Sequence, residues 1–315
     1  MRVSSTLRTA YILQIHKNPE QVNKFIHQLI SDDQADVYVH IDKRSYEQMR
    51  NKILKNEHVK VLDQAVICEW GDISQVDTTI LLLREVLASQ KDYDFVCLRS
   101  GQDLLVKNGF KDVLINNHRN IYMTLRGVDK RNSGLMEINW PKIARKRYTS
   151  FHPVRVYRSM VHSLYRKGIN LFPNQNEWHK GYSLFNGAQW FSIPLEVAEY
   201  MIDFIDSNPW YYQYFENTLC PDEWFFHTII MNSHYKVDVV NDNFMYVNWG
   251  ETIETRNSPL DLKEKDIKAI EESSSFFARK FDEGVDQLVI DYFVERYCFG
   301  KSHIAKKETA TSNSS

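Results

Sequence analysis

Four short apolar runs alternating with segments of helical period fill the first hundred residues, and that rhythm leaves few architectures open. Residues 10–16 (Ala-Tyr-Ile-Leu-Gln-Ile-His) form the first run. From Pro19 the period changes, and Val22, Phe25, Ile26 and Leu29 fall on one face of a helix. Residues 37–42 (Val-Tyr-Val-His-Ile-Asp) repeat the strand signal, and Val59 to Leu62 give a third. Ser74 to Leu87 reads as a helix with Ser74 and Asp77 at its polar start, and residues 94–99 (Asp-Phe-Val-Cys-Leu-Arg) supply a fourth strand. Strand and helix in alternation predict an α/β fold, a largely parallel sheet covered on both faces.

Beyond residue 120 the pattern degrades. Residues 120–171 hold a basic and aromatic stretch (Lys142, Arg145, Lys146, Arg147, Tyr148, Arg155, Arg158, Arg166, Lys167) and are expected to form loops and short helices. Residues 187–194 read as a strand entering a helix near Pro194. Residues 236–240 and 244–247 are further strand candidates, and residues 221–231 read as a helix with an acidic first turn. A polar segment, 302–315, without aromatics is expected to be a disordered tail. The division expected is a short extension (1–9), one domain (10–300) with a nucleotide-binding half to about 119 and an acceptor half after it, and the tail from 301.

At 315 residues the chain suffices for one large α/β domain. A formal charge of −2 and a pI of about 6.6 exclude a surface coated for nucleic acid, so any anion site is a local cluster. Cys68, Cys97, Cys220 and Cys298 show no Cys-x-x-Cys spacing, which reads as reduced thiols in a cytoplasmic protein. No apolar leader follows Met1 and no run of eighteen uncharged apolar residues occurs, so the expectation is a soluble protein, at most peripheral at the inner face of the cell membrane.

In open α/β sheets ligands gather beyond the carboxyl ends of the strands. Ile15, His16, Asp42, Arg44 and Asp103 fall there. Two readings of Asp42 stand side by side: contact with a nucleotide, or a turn-forming aspartate. An Asp-x-Asp sequence, Asp92-Tyr93-Asp94, precedes its strand and so belongs to the other edge of the sheet. At the ligand edge Ser100-Gly101-Gln102-Asp103 offers one carboxylate, fewer oxygens than Mg²⁺ takes. The expectation is chemistry without a divalent metal, in which Arg256, Arg279 and Lys280 hold a departing diphosphate; ordinary surface placement is the competing reading, strongest for Arg279. Glu223 is the candidate base. Pro and acids in a first turn are also plain helix chemistry, and a helix N-terminus would favour its ionised form. Asp222 and Glu223, neighbours about 100° apart on a helix, match a glycosidase carboxylate pair poorly. Tyr246 and Trp249 are candidates to floor an acceptor sugar or to pack the core, and the basic stretch faces either solvent or an anionic membrane.

Together these residues resemble glycosyltransferase family 14, the core-2/I-branching β-1,6-N-acetylglucosaminyltransferases and peptide O-xylosyltransferases. The likeness runs from Ala10 to Asp282. It is carried by Ala10-Tyr11-Ile12-Leu13 with His16, His40-Ile41-Asp42, Glu69-Trp70-Gly71, Ser100-Gly101-Gln102-Asp103, Gly187-Ala188-Gln189-Trp190, Pro221-Asp222-Glu223 and Phe277-Ala278-Arg279-Lys280-Phe281-Asp282. The resemblance implies a GT-A-like, Rossmann-type single domain without the usual metal motif, a UDP-sugar donor and inversion at the sugar carbon. By position it makes Glu223 the base and Lys280 a diphosphate cation, with Arg256 a second. It puts Asp42 at the nucleotide, and Tyr246 and Trp249 beside an acceptor with Trp190 and Asp222. GlcNAc transfer in a β-1,6 linkage, within bacterial capsule, exopolysaccharide or envelope glycan assembly and onto an oligosaccharide or lipid-linked acceptor, is the expectation. UDP-xylose is the alternative donor, and a non-catalytic carbohydrate-binding protein or a hydrolase are the rivals from other classes.

Overall fold

The computed structural model describes residues 7–149, 151–251 and 258–298. Ten strands are described: β1 (Thr9–Ile15), β2 (Ala35–Ile41), β3 (Val59–Val61), β4 (Phe95–Ser100), β5 (Asp103–Leu105), β6 (Ile121–Arg126), β7 (Asn186–Pro194), β8 (Val239–Val240), β9 (Met245–Val247) and β10 (Phe277–Arg279). Seven form one sheet in the order β3-β2-β1-β4-β7-β6-β8, and β5-β10-β9 form a small second one. In the large sheet β3, β2, β1 and β4 run parallel, and β7 alone runs against its neighbours β4 and β6. This is the mixed, mainly parallel α/β sheet expected of a GT-A-like domain.

The alternation of β1 explains how the layers assemble. Tyr11, Leu13 and Ile15 join Val22, Phe25, Ile26 and Leu29 of the Pro19–Ile30 helix in one core, while Ala10 and Ile12 join Val76, Leu82, Leu83 and Val86 of the Ser74–Ala88 helix in another. Successive strand residues point to opposite faces, so an unbroken apolar run feeds both cores at once. The four free cysteines include Cys97, buried in β4.

Several expectations are corrected. Residues 121–126, expected as loop, form β6 inside the large sheet, and residues 153–166 form a helix of 14 residues. The segment 221–231 is not one helix. Pro221–Glu223 is a single 3-10 turn and the helix Phe225–Met231 starts after Trp224, whose φ of −129° breaks the spiral so that its indole is fully buried. Residues 234–238 are a 3-10 turn, leaving β8 two residues long. Leu7 and Arg8, expected in an extension, already pack: Leu7 is buried, and the Arg8 backbone N–H donates to Asp94 Oδ2 at 2.7 Å. That contact places Asp92-Tyr93-Asp94 at the amino edge of β4. The expected tail, 301–315, lies outside the described residues.

Candidate active site

Where β1 and β2 end, His16 and Asp42 emerge side by side. Both Asp42 oxygens are taken: Oδ1 accepts from Arg44 N at 2.8 Å and Arg44 Nε at 2.9 Å, Oδ2 from Arg44 Nη2 at 2.7 Å and Cys68 N at 3.0 Å. Burial works to raise the Asp42 pKa, but these donors win and leave it lowered. Asp42 therefore fixes Arg44, which also reaches Glu69 Oε1 at 3.1 Å and Cys68 O at 2.6 Å. His16 is held toward its neutral form by burial and by the charges of Lys17, Arg44 and Lys280 against Asp42. Lys17 pairs with Asp282 and Asn18 Nδ2 donates to it at 3.0 Å, so the segment just after Lys280 is fastened to the loop that follows His16.

The small sheet builds the second wall. β5 pairs antiparallel with β10 so that Asp103 stands opposite Arg279. Asp103 is fully buried, accepts from Ser100 N at 2.8 Å and Ser100 Oγ at 3.0 Å, and lies 3.5 Å from Arg279 Nε. Its pKa is raised by burial, with Arg279 opposing. The Arg279 guanidinium lies 4.1 Å from the centre of the Trp190 ring. Trp190, expected beside an acceptor, is 8% exposed beneath Arg279. Arg279 itself is spent within the wall, whereas the next residue, Lys280, reaches Asp261 at 3.4 Å. β9 runs parallel to β10 with Tyr246 opposite Ala278, and Trp249 beyond it is 45% exposed. Buried Gln21 ties this wall together. Its amide donates to Gly101 O and Phe281 O, both at 3.1 Å, and accepts from Glu283 N at 3.0 Å.

The third wall is the turn carrying Glu223. Cys220 adopts φ 56° and its N–H donates to Gly71 O at 2.9 Å, which fastens the turn to the Glu69-Trp70-Gly71 loop. Gly71 has φ +80° and sits against Leu219, so the loop needs glycine there. Asn186 Nδ2 at the start of β7 donates to Glu223 O at 3.2 Å. Arg126, the last residue of β6, donates from Nη1 to Glu223 Oε2 at 3.4 Å. The Glu223 side chain keeps 35% exposure in this recess. Burial raises the pKa of Glu223 and Arg126 opposes it; burial and the charge of Glu223 raise that of Asp222. The expectation that a helix terminus holds Glu223 ionised is corrected: the turn is 3-10, and the local cation is Arg126.

Strand β7 links the two walls. Asn186 holds the Glu223 turn, and Trp190, four residues on across an irregularity in the pairing of β7 with β6, holds Arg279. Arg256 lies outside the described residues. Among the described residues no group of three or more His, Cys, Asp or Glu side chains is placed to hold a metal ion.

A protein-family model described as "Branch: Core-2/I-Branching enzyme" matches residues 9–271. The chain belongs to the core-2/I-branching enzyme family. Relatives of this core-2/I-branching family chain include a xylosyltransferase of Ciona intestinalis, 24% identical over 91% of this chain and 34% of its own length. Xylosyltransferase 2 of Mus musculus is 25% identical over 90% of this chain and 33% of its own length, and xylosyltransferase 1 of Rattus norvegicus 23% over 93% and 36%. The chain thus spans about a third of the length of these relatives. The family match ends before Lys280, whereas the relatives' similarity extends past it. Two residues escaped the sequence reading. Arg126 ends a strand whose alternation, Ile121, Met123, Leu125, was there to be seen. Gln21 carried no signal, since a glutamine on a helix announces nothing until two distant loops close on it.

Proposed function

We propose that the chain is an inverting glycosyltransferase that moves a sugar from a UDP-sugar to a glycan hydroxyl without a divalent metal. The observation that supports this reading is that β7 links a partly exposed carboxylate, Glu223, whose turn Asn186 holds, to the segment of Lys280, whose neighbour Arg279 packs on Trp190. In the proposed reaction the Glu223 carboxylate takes the proton of an acceptor hydroxyl, and its oxygen attacks the anomeric carbon. The bond from that carbon to the phosphate oxygen breaks, and UDP departs with its electron pair toward Lys280, with Arg256 as a second cation. An α-linked donor gives a β product. Asp42 and Arg44 with His16 frame the nucleotide, Ile15 and Asp103 support that edge from within, and Arg279 braces the wall. Tyr246, Trp249 and Asp222 are assigned to the acceptor side, while Trp190 packs beneath Arg279 and supports the Lys280 wall instead.

A screen of UDP-sugars for slow donor hydrolysis tests the reading and names the donor. GlcNAc transfer in a β-1,6 linkage within bacterial capsule, exopolysaccharide or envelope glycan assembly is the reading from sequence. UDP-xylose is the second, favoured by relatives that cover nine-tenths of this chain and carry the name xylosyltransferase. The working position proposed is the cytoplasmic face of a membrane, in peripheral contact with it. Absence of UDP binding in calorimetry would favour a non-catalytic carbohydrate-binding protein instead.

A further inference from the structure

From Ile138 to Asn176 the chain holds eight Lys or Arg residues and no Asp or Glu, against −2 for the whole protein, which leaves −10 on the rest. Within this stretch the Pro153–Arg166 helix buries only Val161. Val156 and Met160, one turn apart on it, are each 56% exposed; Phe151 just before it is 85% exposed, and Ile143, Ile169 and Leu171 are at least half exposed. Lys142, Arg147, Arg166 and Lys167 are exposed in the same segment. Large apolar side chains left in water need a reason when they are this many and this close. A purely polyanionic glycan would be met by the cations and would gain nothing from a phenylalanine and a methionine. A bilayer bearing anionic headgroups satisfies both: headgroups meet the Lys and Arg side chains while the apolar groups enter the boundary of the acyl region.

We infer that residues 142–149 and 151–172 form a docking surface for an anionic lipid bilayer. The surface abuts the candidate active site. Arg158 lies 5.5 Å from the Trp70 ring, buried Arg145 pairs with Asp72 at 2.8 Å, and Lys146 reaches Glu69 at 3.7 Å, so the loop that fastens the Glu223 turn is also the root of this surface. Docked, the protein holds its recess at the height of headgroups, where the glycan of a lipid-linked acceptor begins. That role rests on the transferase reading above; the binding does not.

Flotation of the full chain with vesicles of phosphatidylcholine alone, or with a third of the lipid replaced by phosphatidylglycerol, tests it. Binding is expected only to the anionic vesicles and is expected to fall as salt rises. Arg166→Ala with Lys167→Ala is expected to weaken partitioning about thirtyfold, at roughly 1 kcal/mol per basic residue. Phe151→Ser with Met160→Ser is expected to abolish the binding that survives at high salt. Donor hydrolysis in solution is expected to be unchanged in both double variants. Equal partitioning onto neutral and anionic vesicles, no partitioning onto either, or wild-type partitioning by both variants overturns the inference. So does a dimer in solution that Phe151→Ser with Met160→Ser dissociates while vesicles go unbound, since the face then belongs to a second copy. Vesicle binding as expected with no transfer from any UDP-sugar would overturn the proposed function and leave this surface standing.

Discussion

Glu223 is recessed enough for its pKa to rise, and a single cation, Arg126, draws it back. As base it must be ionised, so two substitutions have different signatures. Glu223→Gln removes the proton acceptor and is expected to lower kcat by roughly 10²–10⁴-fold at every pH. Arg126→Met keeps the base but lets its pKa climb, so the acidic limb of the pH–rate profile is expected to move to higher pH, with the rate recovering in alkaline buffer. A pH-independent loss in Arg126→Met would assign that residue to substrate binding. On the other wall, Lys280→Ala is expected to weaken UDP binding by about 10- to 100-fold, the worth of one charge-assisted hydrogen bond of roughly 1.5–3 kcal/mol. Calorimetry reads this directly, and unchanged affinity would remove Lys280 from the diphosphate.

At the level of elements, close approach decides what the β6–β7 pair tolerates. A Cβ on Gly187 would lie 2.0 Å from Thr124 O and 2.3 Å from His227 Nε2, so neither the backbone nor the buried ring has space to yield. Gly187→Ala is expected to destabilise the fold by at least about 1–3 kcal/mol, seen as a lower Tm, and to disturb the turn that Asn186 holds. At the opposite edge of the sheet, Asp36 at the start of β2 accepts from Tyr93 OH at 2.6 Å, His58 Nδ1 at 2.8 Å and Lys91 Nζ at 2.9 Å. Burial opposes ionisation there, but the donors win and bring the Asp36 pKa down to about 2. A depressed folded pKa means stabilisation that is complete above the ordinary carboxylate range and is lost as pH falls toward 2. Asp36→Asn is expected to lower stability at neutral pH and to flatten the dependence over that acid window, measured by denaturant unfolding at several pH values. The sequence announced β1, β2 and β4 because strands buried on both faces are continuous apolar runs. It marked β6 only by the alternation of Ile121, Met123 and Leu125, since Thr124 and Arg126 break the apolar run, and it merged the Pro221 turn with the next helix because Trp224 is as apolar as the residues after it.

For the molecule as a whole, chelation is the test of metal-free transfer: activity is expected to persist in excess chelator, and a loss restored by Mn²⁺ would reject that reading. The amino acids by themselves settled the layered α/β plan, since the period of apolar residues dictates strand or helix and the order of elements dictates a mainly parallel sheet. They also offered Glu223, Lys280 and the rim after β1 and β2 as candidates, because motifs at strand ends are local. Only the tertiary structure decided what those side chains face. Asp42 is engaged by Arg44 and Cys68, Asp103 and Trp190 are consumed by Arg279, and Glu223 meets Arg126 from 97 residues away. The reason is physical: a charge or a ring acts through its neighbours in space, and those neighbours are set by sheet order and register, which no local pattern in the chain records.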